Sequence, residues 1–224
     1  DRIVTYSSDD RIFNIDTIKA HNGVDCAKIK PIDQYEMKKD EIRLIGVAQF
    51  RAQHGYERLI RGLGEYYKNN QAMKVKLILV GNGTEKPLYE QEVLKAQVEQ
   101  YVQFAGSKTG DELDQLYNES DIAVSSLGMY KLGLQYVSTL KNCEYLAKGL
   151  PVIAGYDDYV LEGNSYSLRV SNDDTAIDIN QVIDFYQSVY AEGKEKTINE
   201  IRNIALLKAD LSQSYKDVIS YIME

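Results

Sequence analysis

Tryptophan is absent from this 224-residue sequence, and cysteine, histidine and proline are sparse, at two, two and three residues. Cys26 and Cys143 show neither CxxC nor histidine-rich spacing, which argues against a zinc site or a disulfide framework; Cys143 reads as a small core residue. Positive charge is in deficit: 26 Lys and Arg face 34 Asp and Glu, for a net charge of −8. That balance excludes a general nucleic-acid binder, which shows a basic face, and polybasic attachment to a membrane. No apolar run is long enough to span a bilayer, and no signal peptide opens the sequence. A reducing, cytoplasmic setting is the expectation, with at most a peripheral place on the inner face of the membrane for a longer protein. An initiator methionine is lacking too. Asp1 leads straight into the strand-like Arg2–Tyr6, as expected of a chain cut from something longer.

What is present alternates. Ile42–Ala48 is apolar enough for a buried strand, and Tyr56, Leu59, Ile60, Leu63, Tyr66 and Tyr67 then recur at helical spacing. Val75–Val80 is a second strand, and Pro87 suits the first turn of a helix running to about Gln100. Strands Val102–Ala105, Ile122–Ser125, Val152–Ala154 and one near Tyr166–Val170 follow, with helices at Asp111–Asn118 and from Ser138 between them. Strands apolar on both faces, alternating with helices, predict an α/β domain with a doubly wound parallel sheet. Ligands in such sheets bind outside the carboxyl ends of the strands. The loops 49–55, 81–84, 106–110, 127–137 and 155–164 would share that edge. Before the sheet, Ile3–Tyr6 and Thr17–Ala20 read as short strands, His21–Asp25 as a turn with Gly23 at positive φ, and 27–41 as a polar linker. After it come amphipathic stripes, Ile179 to Tyr190, Ile198 to Ala205 and Leu211 to Ile222, all expected as packing faces.

The stretch Ser138–Pro151 organises the rest. Ser138 is the expected N-cap, Gly149 and Pro151 mark the stop, and Leu140, Cys143 and Ala147 predict the packing face. Lys141 breaks the pattern, because a cation in the first helical turn opposes the macrodipole. An anion held jointly by backbone N–H groups and Lys141 would complete it. Glu144, three residues on, could accept from the paired hydroxyls of a ribose; the plainer reading is a surface Lys–Glu pair. Gly81–Asn82–Gly83 lacks both the dinucleotide and the Walker spacing and reads first as a tight turn. Arg51 and His54 share one loop and could bring positive charge to a diphosphate. Ser125 and Ser126 lack a nucleophile-elbow pattern.

Several of these segments together resemble the carboxyl-terminal half of a retaining glycosyltransferase of family 4, in the GT-B group. Asn22–Gly23–Val24–Asp25 looks like its NGVD, Val80–Gly83 its VGxG loop, and Leu116–Val124 its LYxxADxxV segment. Gln53–Ile60 is similar to a WHGYDRLI variant, and Ser138–Pro151 to the SPLKxxEYLAxGLPVI form of the donor-site helix. The resemblance implies a Rossmann-like domain that binds a nucleotide-diphosphate sugar. Glu144 would hold the ribose, as the second glutamate of the E-x7-E motif. The diphosphate would meet N–H groups near Ser138, Thr139 and Leu140 with Lys141 beside them, and the base would lie against Gly81, Asn82 and Ala105–Ser107. Tyr136 stands where the motif has its first glutamate, and Gln49 and His54 where the family has its phosphate-binding arginine and lysine. Lys141, Arg51 or Lys131 would then supply the charge. No metal or other cofactor is implied. The division implied is 1–40 as the remnant of an amino-terminal acceptor domain and linker, 41–192 as the donor-binding domain and 193–224 as carboxyl-terminal helices. Alone, such a half would not transfer sugar to an acceptor saccharide or lipid-linked saccharide. Two rivals share the observations: a nucleotide-sugar epimerase of the same architecture, and a non-catalytic α/β nucleotide-binding module.

Overall fold

The computed structural model describes residues 1–7, 9–69 and 72–223. Three short strands come first: β1 (Ile3–Thr5), β2 (Arg11–Ile12) and β3 (Ile15–Lys19). β1 runs parallel to β3, while β2 and β3 form an antiparallel hairpin. Its two turn residues, Phe13 and Asn14, have φ of 50° and 64°, as a two-residue turn matched to strand twist requires.

The main sheet is laid down by β4 (Glu41–Val47), α1 (Tyr56–Tyr67), β5 (Lys74–Val80), α2 (Lys86–Ala96), β6 (Val102–Gly106), α3 (Gly110–Asn118), β7 (Ile122–Val124), α4 (Leu140–Lys148), β8 (Val152–Ala154) and β9 (Ser167–Arg169). All six strands pair in parallel, in the order β6-β5-β4-β7-β8-β9. The expected doubly wound α/β sheet is therefore present. Its strands divide their side chains between two cores. Ile42, Leu44, Leu77, Leu79, Val124 and Ile153 pack under α1 and the first carboxyl-terminal helix, whereas Ile45, Ile78, Val80, Ala123, Val152 and Ala154 pack under α4. Burial on both faces is why these strands read as continuous apolar runs rather than as alternating ones.

The chain closes with α5 (Ile179–Val189), α6 (Lys194–Lys208), α7 (Leu211–Ser214) and α8 (Lys216–Met223). α6 buries Ile198, Ile201 and Ala205 beside α4, as their spacing predicts. α8 lies along β3 rather than on the main core, and the apolar stripe expected to pack is largely open there, with Ile219 and Ile222 54% and 72% exposed. Glu224, the end of the expected helical region, lies outside the described residues.

Residues 27–41 are polar, as a linker would be, yet Cys26 and Ile32 on this stretch are buried. The Cys26 N–H donates to Asp210 Oδ2 at 3.1 Å and the Ile32 N–H to the Lys148 carbonyl at 2.9 Å, so the segment lies against the end of α4 and the start of α7. Gly23 corrects a second expectation. Its φ is not positive; glycine is needed because a Cβ there would sit 2.1 Å from Ser214 Oγ. No helix among the described residues is long and apolar enough to cross a membrane.

Candidate functional site

From β4 the chain proceeds outward through β5 to β6, then returns to the other side of β4 as β7 and continues to β8 and β9. The order therefore reverses between β4 and β7, which is where a doubly wound sheet opens a ligand crevice at its carboxyl edge. The loops leaving these two strands are stitched together there: Leu127 N–H donates to His54 O at 2.8 Å, and Gly128 N–H to Gln53 O at 3.1 Å.

Beside the crevice lies an open cavity of about 1220 Å³ between the loops that follow β4, β5 and β6. Arg51, Gly81 and Asn82 line it, with Ser107 on the far wall. The two glycines of the turn allow close approach of backbones. A Cβ on Gly81 would fall 1.8 Å from Ala48 O, and one on Gly83 would fall 2.2 Å from Phe50 O. The Gly81 N–H donates to Gly106 O at 2.7 Å and the Gly83 N–H to Asn82 Oδ1 at 2.9 Å. Both amides are thus engaged within the loops, so Gly81–Gly83 is a clamp that shapes the cavity and not a phosphate loop. Ala105 sits at a bulge: Leu79 pairs with Phe104 and Val80 with Gly106, which leaves Ala105 out of register two residues before Ser107 of the cavity lining. Bulges recur beside ligand sites because they free and re-aim a residue.

The start of α4 corrects the sequence reading by one residue. Thr139, not Ser138, is the N-cap, its Oγ1 accepting from Asn142 N–H at 3.4 Å. Ser138 instead ties down the early turn: its Oγ accepts from Asn22 N–H and its carbonyl from Asn22 Nδ2, each at 2.8 Å. Leu140 is 52% exposed, so the packing face is formed by Cys143, Leu146, Ala147 and Leu150 without it. Thr139 N–H is already taken by Asp158 Oδ2 at 3.1 Å. A helix leaves its first four N–H groups without intrahelical partners. With Thr139 and Asn142 satisfied, those of Leu140 and Lys141 remain to meet a ligand.

Lys141 reaches back over this opening. Its Nζ lies 3.5 Å from Tyr56 Oη and 5.8 Å from the centre of that ring. Burial pushes Lys141 down to about 7, against the pull of Glu144. His54 stacks on the same tyrosine at 5.9 Å, and its Nδ1 accepts from Arg51 N–H at 3.0 Å. Burial, together with the Lys141 charge, pushes His54 down to about 3, so it is a neutral N–H donor. The expectation that His54 carries positive charge is thereby corrected. Lys131 is engaged elsewhere, paired with the buried Glu57. Arg51 is exposed, with Nη2 on Gln49 Oε1 at 2.9 Å. Glu144 is exposed one turn behind Lys141; partial burial raises its carboxyl while Lys141 and Lys148 oppose the rise. The following Tyr145 joins α4 to the cavity, its Oη accepting at 3.0 Å from the N–H of Val47, a lining residue. The structure thus collects His54 and Lys141 at Tyr56, with Glu144 near enough to Lys141 to act on its charge, and Arg51, Gly81 and Asn82 around the cavity. Ser138 and Thr139 are committed to scaffolding: the Thr139 N–H goes to Asp158 and its Oγ1 serves as the cap and meets Tyr156 Oη.

The profile of the family described as glycosyl transferases group 1 matches residues 28–176. The chain belongs to that family. A glycosyltransferase from Rickettsia africae has the same fold at 16% identity and a TM-score of 0.66, over 94% of this chain and 57% of that one. Anabaena Alr3699/HepE, solved in complex with UDP, gives 0.66 at 14%, over 92% and 57%. The C-terminal domain of the group 1 protein LpcC from Francisella tularensis gives 0.60 at 18%, over 84% of this chain and all of that one, 100%. This group 1 chain therefore spans just over half the length of the first two. No curated protein sequence matches it.

Two residues that support the candidate site of this group 1 chain escaped the sequence reading. Asp158, 1% exposed, also accepts from Asn142 Nδ2 at 2.8 Å, and Asn142 reaches Tyr156 Oη at 2.9 Å. This buried network holds the α4 start in place. Arg58, fully buried, donates to Thr175 O at 2.7 Å, Ser171 O at 2.9 Å and Leu127 O, and so fixes the loop after β7 against that after β9. The one local sign of Asp158 was a carboxylate two residues before Val160, whose N–H it caps at 3.3 Å; its reach to Thr139 is tertiary.

Proposed function

We propose that this chain is the donor-binding half of a retaining glycosyltransferase of family 4. It would take a hexose from a nucleoside-diphosphate sugar, in the assembly of a bacterial surface polysaccharide in the cytoplasm. The observation that carries the reading is the pair of N–H groups at Leu140 and Lys141 without a partner among the described residues, on the helix turn that also carries the Lys141 side chain. Such a group of donors suits a pyrophosphate. The diphosphate would lie there, the ribose hydroxyls on Glu144, and the base in the cavity between Gly81, Asn82 and Ala105, with Arg51 at its mouth. Binding of UDP by the Anabaena structure, which shares the fold, supports a nucleotide in this place. The protein would stabilise the leaving diphosphate with fixed dipoles and Lys141, without a metal. The acceptor saccharide or lipid-linked saccharide would be presented by a further domain, since this chain covers only 57% of each of the first two structures.

Calorimetric titration with UDP, GDP and ADP tests the reading. At least one is expected to bind, and Glu144→Ala should weaken it by about 1–3 kcal/mol, the loss of charge-assisted hydrogen bonds to the ribose. A folded chain that binds none of the three would leave only a module without a donor.

A further inference from the structure

Tyr56 carries a hydroxyl that packing alone does not explain. The side chain is fully buried at the start of α1, with the Phe50 ring 6.1 Å and the Tyr89 ring 5.7 Å away between centroids. Phenylalanine would fill that space as well, and a buried hydroxyl is costly unless it is hydrogen-bonded. Room for this one is made by Gly46 in β4, where a Cβ would fall 2.8 Å from Tyr56 Cζ and 3.0 Å from Oη. Glycine inside a buried strand gives up packing and marks such a close approach. Tyr56 Oη donates its one proton to Val124 O, 3.4 Å away at the end of β7. A lone pair is then left for Lys141 Nζ at 3.5 Å. Tyr145 Oη also lies 3.4 Å from the Val124 carbonyl, but its lone pair is taken by the Val47 N–H at 3.0 Å.

The charged and titratable groups about Lys141 come from three elements. Glu144 stands on its own helix, His54 and the exposed Arg51 on the loop after β4, and Tyr56 on α1. Burial keeps the Tyr56 hydroxyl protonated, and His54 is neutral. Among the described residues Tyr56 Oη is the one hydrogen-bond partner of Nζ. We propose that Tyr56 is a positioning residue, its hydroxyl tying the Lys141 ammonium to the end of β7 and favouring the charged form. A hydroxyl that already donates is polarised into a better acceptor, and a hydrogen bond to the charged form opposes the effect of burial. Lysine is a point charge on a flexible stem, so a fixed acceptor removes much of the ordering that binding would otherwise demand. The tie itself stands on Gly46, Tyr56 and Val124; that the ammonium then meets a diphosphate rests on the donor reading.

Tyr56→Phe removes the oxygen and keeps the ring, whose centre lies 5.8 Å from Nζ. Tyr145→Phe is the control, because it takes a hydroxyl from the same carbonyl without touching Lys141. NMR of the chain carrying isotope-labelled lysine follows the Lys141 titration with no nucleotide present, the signal being assigned by its loss in Lys141→Met. In Tyr56→Phe the midpoint should fall by about 0.5–1 pH unit, the difference between a hydrogen bond to a charged donor and one to a neutral donor. In Tyr145→Phe it should stay where it is. Calorimetry at pH 8, with whichever of UDP, GDP and ADP binds the parent, should show Tyr56→Phe weaker by about three- to tenfold, with no further loss when it is added to Lys141→Met. Equal midpoints in the parent and Tyr56→Phe, or the same displacement in Tyr145→Phe, would overturn the tie and leave Tyr56 a core residue. A displaced midpoint in a chain that binds none of the three nucleotides would uphold the tie and remove the donor reading instead.

Discussion

Lys141 is placed so that its charge depends on what is bound. Its ammonium is pushed down to about 7 by burial, so the free protein loses that proton as pH rises past neutrality. A diphosphate favours the charged form and raises the pKa in the complex. Nucleotide affinity should then be constant below pH 7 and fall above it, by up to about tenfold per pH unit, until the pKa of the complex is reached. Calorimetry in matched buffers from pH 6 to 9 reads the slope, and Lys141→Met should give a flat, weaker profile. The stability effect has the opposite sense. A folded pKa below the ordinary lysine value means that the unfolded chain binds more protons between the two, so stability rises with pH through that window. Lys141→Met should accordingly be more stable than the parent at pH 6 and lose that advantage as pH approaches 10. Arg58 is the converse case, a buried cation whose role is structural. Its guanidinium fork serves three backbone carbonyls and Ser171 Oγ at 2.9 Å, with Asp173 only 3.6 Å away. Lysine cannot reproduce that fork. Arg58→Lys should cost about 3 kcal/mol or more, read as a lowered midpoint in urea, because several buried acceptors are left unpaired.

At the level of the element, the start of α4 is where side chains from three segments meet. Asp158 and Thr139 satisfy two of the four free N–H groups and leave the other two open, so the network decides which amides a ligand can use. Thr139→Ala should cost about 1 kcal/mol, as for an ordinary lost cap. Asp158→Ala should cost about 2–3 kcal/mol, because Thr139 N–H would lose its acceptor and Asn142 Nδ2 one of its two, keeping only Tyr156 Oη. In thermal melts the second should exceed the first, and nucleotide affinity should fall in Asp158→Ala at temperatures where the protein is still folded. The sheet was legible in advance because buried parallel strands and amphipathic helices write their periods into the sequence: Val152–Ala154 was placed to the residue, and Tyr56–Tyr67 by its stripe. Lys141 was legible as a broken rule in a first turn. The cap at Thr139 was not, since Ser138 and Thr139 are both good caps and the choice is made by Asn22, 116 residues earlier in the chain. His54 looked cationic because its pKa is set by Lys141 and by burial, neither of which is local. The same holds for Leu140, whose spacing is that of the packing face but whose position lies just beyond the neighbours that would cover it.

For the molecule as a whole, the two ends of the chain come together away from the main core. β3 lies against α8, and Tyr6 Oη meets Tyr215 Oη. Around this junction Phe13, Ile222 and Met223 are 92%, 72% and 81% exposed, and Val4 and Ile219 are also open. The apolar spacing of α8 is that of a packed helix; β3 covers only part of it, and Ile219, Ile222 and Met223 stay open. Large apolar side chains left open on both end segments offer a place of association. The net charge of −8 opposes self-association at low ionic strength, and salt screens that repulsion over about 10 Å at 0.1 M. Sedimentation velocity should therefore show a reversible, concentration-dependent shift toward dimers that grows with added salt, opposite to the response of an ion-paired contact. Replacing Phe13 with Ser and Ile222 with Lys should remove the shift while changing stability by no more than about 0.5 kcal/mol, because both side chains are already in water. Monomers at every concentration and salt level would mean that this surface is tolerated in water as it stands.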